Sequence, residues 1–265
     1  MKNTSAITRI LEMKRSGEKI ACLTAYDASF GRLLENCGID MVLVGDSLGM
    51  VLQGKKDTLE VTLDDMIYHT RMVRQCIEHT LLATDMPVNS YLDTQMTVEN
   101  AKRLLDEGGA DMVKLEGGRD ILEQVKALSA ADIAICGHLG LQPQSVAKYG
   151  GYKVQGRKQE DADNILEDAV ALEQAGVKMI VLECIPMQLA EAITRAISIP
   201  TIGIGAGVVC DGQILVIYDV IGLSGYIPKM ANNFLSSAGD INTAVHDYIE
   251  AVKSGKFPTK AQSFE

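Results

Sequence analysis

Gly108-Gly109-Ala110-Asp111-Met112-Val113-Lys114-Leu115-Glu116 closes a stretch of helical period and opens a short apolar run. Its opening phrase recurs at Cys37-Gly38-Ile39-Asp40 and Ala175-Gly176-Val177-Lys178, again between a helical stretch and an apolar run. In each, a glycine just past a helix suits the left-handed C-cap that turns the chain into a strand. Working outward, β-rich apolar runs fall at 20–24, 41–45, 81–84, 112–115, 133–137, 179–182, 201–204 and 214–218. Helical period fills 28–37, 63–79, 98–107, 120–130, 161–175 and 187–196, and the segment after the seventh run is short and poorly helical. Flanking helices are expected at 4–14 and 240–253. Strands alternating with helices predict parallel strands joined by crossovers. Eight such units over about 250 residues match the size of a (β/α)8 barrel. The chain, 1–265, is therefore expected to be a single α/β domain, a (β/α)8 TIM barrel with an N-terminal helix and a C-terminal helical extension. The rival, an open doubly wound sheet, lacks its dinucleotide fingerprint: the first run ends in Thr24-Ala25-Tyr26-Asp27.

Composition narrows the function. Lys+Arg number 25 against Asp+Glu 35, a formal net charge of −10, which disfavours nucleic-acid and anionic-membrane partners. No apolar stretch approaches the roughly 18 residues of a membrane span, and the N-terminal segment shows no signal-peptide core. The six cysteines, at 22, 37, 76, 136, 184 and 210, form no C-x-x-C pair and sit mostly in apolar runs. They read as reduced packing residues of a cytoplasmic protein.

Polar residues gather where the runs end. Asp46 follows the second and Asp85 the third; Lys114 and Glu116 close the fourth; His138 follows the fifth and Glu183 the sixth. Barrel enzymes carry their chemistry on this rim. By strand alternation, residues 112, 114 and 116 share one face, as do 81, 83 and 85. If those faces point inward, carboxylates and an amine converge. Carboxylates without clustered His or Cys suit a hard cation, Mg2+ best, with Lys114 as a fixed charge for an anionic substrate. Glu183, beside Val181, Cys184 and Ile185, is a candidate for proton transfer. Each residue also has an ordinary use: Asp46 as a helix N-cap, Asp85 in a turn, Lys114 and Glu116 as a plain ion pair, His138 as a hydrogen-bonded core histidine. The glycines of Gly203-Ile204-Gly205-Ala206-Gly207 suit a phosphate cradle or close backbone packing.

The sequence resembles the ketopantoate hydroxymethyltransferase (3-methyl-2-oxobutanoate hydroxymethyltransferase) family almost end to end. The resemblance lies in LTAYDASFGRLL (23–34), VGDSLGMVLQG (44–54), TLDDMIYHTRMV (62–73), DMPVNSY (85–91), GGADMVKLEGG (108–118), GHLGLQPQSV (137–146), GGYKVQGR (150–157), LECIP (182–186) and IPTIGIGAG…CDGQILV (199–216). It implies a barrel related to phosphoenolpyruvate mutase and isocitrate lyase. It implies a Mg2+ site with Asp46 and Asp85 as ligands and Glu116 contributing through water. The keto-acid contacts carry over to Asp46, Ser47, Asp85 and Lys114, and the proton-handling glutamate to Glu183; His138 is expected to hydrogen-bond near the substrate. The implied reaction takes a one-carbon unit from 5,10-methylenetetrahydrofolate to the enolate of 3-methyl-2-oxobutanoate, giving 2-dehydropantoate (ketopantoate) and tetrahydrofolate for pantothenate synthesis. The implied assembly is a homo-oligomer, a decamer of two five-membered rings. Ala147, Val208-Val209 and Leu59-Glu60 depart from the family's usual residues, away from the metal and keto-acid positions. Two other readings stand beside this one: a Mg2+-dependent lyase on the same barrel, which needs no folate, and a barrel without catalysis that binds no Mg2+.

Overall fold

The computed structural model describes residues 3–146 and 150–265, so Ala147 lies outside the described residues. Eight parallel strands close into a barrel in sequence order. They are β1 (Ile20–Thr24), β2 (Met41–Val44), β3 (Leu81–Asp85), β4 (Met112–Glu116), β5 (Ile135–Gly140), β6 (Met179–Glu183), β7 (Thr201–Ile204) and β8 (Gly212–Leu215). β8 returns to β1 through Ile20↔Gly212 and Leu23↔Leu215. Around them run α1 (Asn3–Ser16), α2 (Ala28–Cys37), α3 (Leu48–Val51), α4 (Leu63–Arg74), α5 (Thr94–Asp106), α6 (Leu122–Ala130), α7 (Gln159–Ala175), α8 (Met187–Ala196), α9 (Ile217–Val220), α10 (Leu235–Ala238) and α11 (Ile241–Lys253). The fold is the expected (β/α)8 barrel. All six cysteines are free and only Cys76 is less than fully buried. Among the described residues no helix is long and apolar enough to cross a membrane.

Strand alternation splits the apolar residues into two cores. Residues such as Ile20, Cys22, Met41, Leu43, Leu81, Ala83, Met112, Cys136, Met179 and Val181 fill the barrel interior, and Ile10 and Met13 of α1 plug its bottom. Their neighbours, including Leu23, Val42, Leu82, Val113 and Ile180, face outward under the helices. Asp85, Lys114, Glu116, His138 and Glu183 continue the inward stripes. The barrel interior is therefore apolar below and polar at its carboxyl end.

The recurring glycine phrase works as expected at Gly38 and Gly176, left-handed C-caps with φ 74° and 112°. Its aspartates do more. Asp40 N donates to Ala21 O at 3.1 Å, while Ala21 N donates to Asp40 Oδ2 at 2.9 Å. Asp111 repeats this with Leu82, at 2.8 and 3.0 Å. Ahead of β8, Asp211 takes Thr201 N at 2.8 Å. Each carboxylate thus satisfies a strand N–H at the foot of the barrel, where no ladder partner exists. Each is also paired with a cation: Lys253, Arg74 and Lys14 respectively. Asp111→Ala would strip Arg74 of its ion pair and Leu82 N–H of its acceptor together. It is expected to cost about 3 kcal/mol, read by urea denaturation, with no change in ligand binding at the opposite rim.

Several boundaries depart from expectation, most by one or two residues and the start of α5 by four; three others are larger or bear on the site or the barrel's closure. Helix α4 ends at Arg74, not 79, because the Glu35 carboxylate takes the N–H groups of Glu78, His79 and Thr80 and draws the chain off the helical path. Strand β5 spans 135–140 rather than 133–137, so His138 lies inside it. Strand β8 spans 212–215 rather than 214–218. There Ile217 N donates to Thr24 Oγ1 at 3.0 Å and the apolar run turns into the single turn α9.

Candidate active site

Sheet register brings the rim residues together. Asp85 stands opposite Lys114, Glu116 opposite His138, and Gly140 opposite Glu183. Lys114 Nζ lies 2.7 Å from Asp85 Oδ1 and 3.9 Å from Glu116 Oε1. His138 bridges two acids, with Nδ1 3.2 Å from Glu116 Oε1 and Nε2 3.2 Å from Glu183 Oε2. Asp46 follows β2; its N–H donates to Asp85 Oδ2 at 3.0 Å and its Oδ2 accepts from Gln144 Nε2 at 2.8 Å. Asp46 is not a helix cap: Ser47 occupies the N-cap position of α3 and makes no capping hydrogen bond. Ser47 Oγ instead meets the Tyr26 hydroxyl at 2.9 Å. All seven residues expected at the site converge on one mouth. Side-chain exposure separates them: Asp85, Glu116 and His138 are 3% exposed, Lys114 5%, Glu183 13%. Glu183 is thus the acid most open to an incoming molecule.

The electrostatics follow from packing four carboxylates, Asp46, Asp85, Glu116 and Glu183, around one lysine and one histidine. Burial raises the Asp46 carboxyl well above the usual range, and the nearby charges of Asp85 and Glu116 raise it further. Burial pushes Glu116 up, but contact with His138 and the charge of Lys114 outweigh it, so its pKa is lowered. Burial would strip Lys114 of its proton; Asp85, Glu116 and Asp46 prevent this and hold the ammonium above the ordinary lysine range. For His138, burial and Lys114 push down, yet Glu116 and Glu183 win and raise it to about 9. The two glutamates thus favour the charged ring; Nδ1 also lies 3.3 Å from Lys114 Nζ, and Nε2 makes no aligned hydrogen bond.

A divalent cation fits this donor set. The acids outnumber the cationic side chains, and the strain falls on Asp46. Asp85 Oδ1 and Glu116 Oε1 are buried and carry no aligned hydrogen bond, only the charge contacts above. Among the described residues no three His, Cys, Asp or Glu side chains form a ready-made cage. Lys114 and Gln144 stand between the acids, an arrangement suited to a hard ion with few protein ligands and retained water.

Gln144, Tyr91 and Tyr26 were not singled out from the sequence, although each lies in a stretch that carries the family resemblance. They sit on irregular segments, where no strand or helix period points to them. The glycine run after β7 serves close packing: a Cβ at Gly207 would stand 2.6 Å from Met187 Cγ, and one at Gly205 2.9 Å from the Phe264 ring.

A closed parallel barrel with buried acids and a lysine at its carboxyl-end mouth has the architecture of a barrel enzyme, whose chemistry sits at that face. Solved structures agree on the fold. Oxaloacetate acetylhydrolase superposes with a TM-score of 0.63 at 16% identity, covering 96% of this chain and 99% of that one. The 2,3-dimethylmalate lyase of the PEP mutase/isocitrate lyase superfamily gives 0.53 at 16% identity, covering 75% and 71%. The family model for ketopantoate hydroxymethyltransferase matches residues 4–260. The 3-methyl-2-oxobutanoate hydroxymethyltransferases of Ruthia magnifica subsp. Calyptogena magnifica and Erwinia tasmaniensis are each 53% identical, the first over 97% of this chain and 99% of its own, the second over 100% of both. The chain belongs to the ketopantoate hydroxymethyltransferase family, and it is an enzyme, a transferase of hydroxymethyl groups.

Proposed function

We propose that the protein moves a hydroxymethyl group from 5,10-methylenetetrahydrofolate to C3 of 3-methyl-2-oxobutanoate. Water supplies the hydroxyl, and 2-dehydropantoate and tetrahydrofolate leave, on the way to pantothenate. The observation that carries this reading is the convergence of Asp46, Asp85, Lys114, Glu116, His138 and Glu183 on one mouth. Mg2+ held by Asp46 and Asp85, with Glu116 beyond a water, would supply Lewis acidity at the keto oxygen. Lys114, kept charged by its acids, draws the substrate carboxylate and fixes which end enters first. His138 Nε2 stands 3.2 Å from one oxygen of Glu183. The more exposed Glu183 then takes the C3 proton, and the electron pair left on C3 forms the new bond to the donor's methylene carbon, whose two bonds to folate nitrogen break as water brings the hydroxyl. Ser47, held by Tyr26, offers its hydroxyl to the keto acid.

We read the chain as one folding unit over 1–265 and as a cytoplasmic homo-oligomer, a decamer by resemblance. The exposed Leu223, Tyr226 and Ile227 support an interface with further copies. The reaction is tested by following product from 3-methyl-2-oxobutanoate by NMR while Mg2+ and the folate donor are omitted singly. Product is expected only with both present, whereas exchange of the C3 proton into deuterated water is expected to need Mg2+ alone. Turnover of the keto acid without the donor would identify a lyase instead.

A further inference from the structure

Three carboxylates at the mouth share one pattern of hydrogen bonding. One oxygen of each is tied to an amide N–H: Asp85 Oδ2 to Asp46 N at 3.0 Å, Asp46 Oδ2 to Gln144 Nε2 at 2.8 Å, and Glu116 Oε2 to Gln144 N at 3.0 Å. For Asp85 and Glu116 the opposite oxygen is buried without an aligned hydrogen bond. Two of the three ties come from a single residue. Gln144 lies in the short turn Pro143–Ser145 just past β5, far in sequence from both acids.

The amide of Gln144 has a fixed sense. Its Oε1 accepts from the Tyr91 hydroxyl at 2.6 Å, while its Nε2 donates to Asp46 Oδ2 and to Met86 O at 3.0 Å. Turned over, the carbonyl would face a carboxylate and a backbone carbonyl, leaving three acceptors without a proton between them. Tyr91, which follows β3, therefore acts through Gln144 to set the direction in which Asp46 presents its remaining oxygen.

We propose that Gln144, oriented by Tyr91, is the positioning residue of the cation site: it anchors Asp46 and Glu116 by one oxygen each and leaves the other available, Asp46's to the ion and Glu116's to the ion's water. This rests on the divalent-cation reading above. Partners of this kind outside the ligand set orient metal-binding carboxylates and change metal affinity by about 10- to 100-fold.

The test is Mg2+ titration of the substrate-free protein by calorimetry, with thermal unfolding in chelator as the check on folding. Gln144→Met keeps the length of the side chain and the backbone N–H to Glu116 but removes the amide. It is expected to weaken Mg2+ binding at least about tenfold without altering the unfolding temperature in chelator. Tyr91→Phe is expected to fall between wild type and Gln144→Met. The double variant should bind no more weakly than Gln144→Met alone, because Tyr91 acts through Gln144. Wild-type affinity in a folded Gln144→Met overturns the proposal; if that variant does not fold, wild-type affinity in Tyr91→Phe does so. Wild-type protein that takes up no Mg2+ overturns the cation reading itself, and that result precedes any comparison of variants.

Discussion

Asp85→Ala is expected to abolish Mg2+-dependent exchange of the substrate's C3 proton, by about 10^3-fold or more, since the metal's Lewis acidity is worth several kcal/mol. Asp85 is the hub of the site. One oxygen takes Asp46 N and the other lies 2.7 Å from Lys114 Nζ. Removing it frees Lys114 to swing toward Glu116, 3.9 Å away, and lets Asp46 lose the amide tie that places it. Because the Asp85 side chain is buried, Asp85→Asn serves as the companion variant. It keeps an acceptor for Asp46 N and fills the same volume, so damage to packing is separated from loss of charge. Both variants are expected to unfold near the wild-type temperature and to lose exchange alike, measured by proton NMR in deuterated water. Undiminished exchange in either would remove Asp85 from the cation site.

The reach of Asp85, Lys114 and Glu116 into the barrel is legible in the sequence, because a strand side chain alternates faces and the apolar residues at 81, 83 and 112 mark the inner one. The barrel was legible for a related reason: the glycine phrase before β2, β4 and β6 repeats a helix-to-strand joint. The role of that phrase's aspartates is not legible there. Their partners, Ala21 and Leu82, sit on neighbouring strands some 19 and 29 residues back, and no local pattern links them. Gln144 and Tyr91 were missed for the same cause, being 53 residues apart on irregular segments. The eighth strand was misplaced because the apolar run after Gln213 mimics a strand. Its true start is fixed by tertiary fit instead: Gly212 packs against Ile20 so closely that a Cβ would collide with the Ile20 carbonyl.

Glu183→Gln separates proton movement from binding. The isosteric amide keeps the volume and keeps an oxygen for His138 Nε2, now 3.2 Å from the carboxylate. It cannot take a proton from carbon. A positioned general base contributes about 10^2- to 10^4-fold, so C3 exchange and turnover are expected to fall by that order while KM for the keto acid changes little. The charge balance sharpens the expectation. His138 is raised to about 9 against burial and Lys114 by Glu116 and Glu183 together. With Glu183 neutral, one of those two supports is gone, so the imidazole is expected to release its proton at lower pH than in wild type, read from its NMR titration. A group that only bound substrate would show the reverse kinetic pattern, a raised KM with kcat preserved, and that result would move Glu183 out of the proton-transfer role.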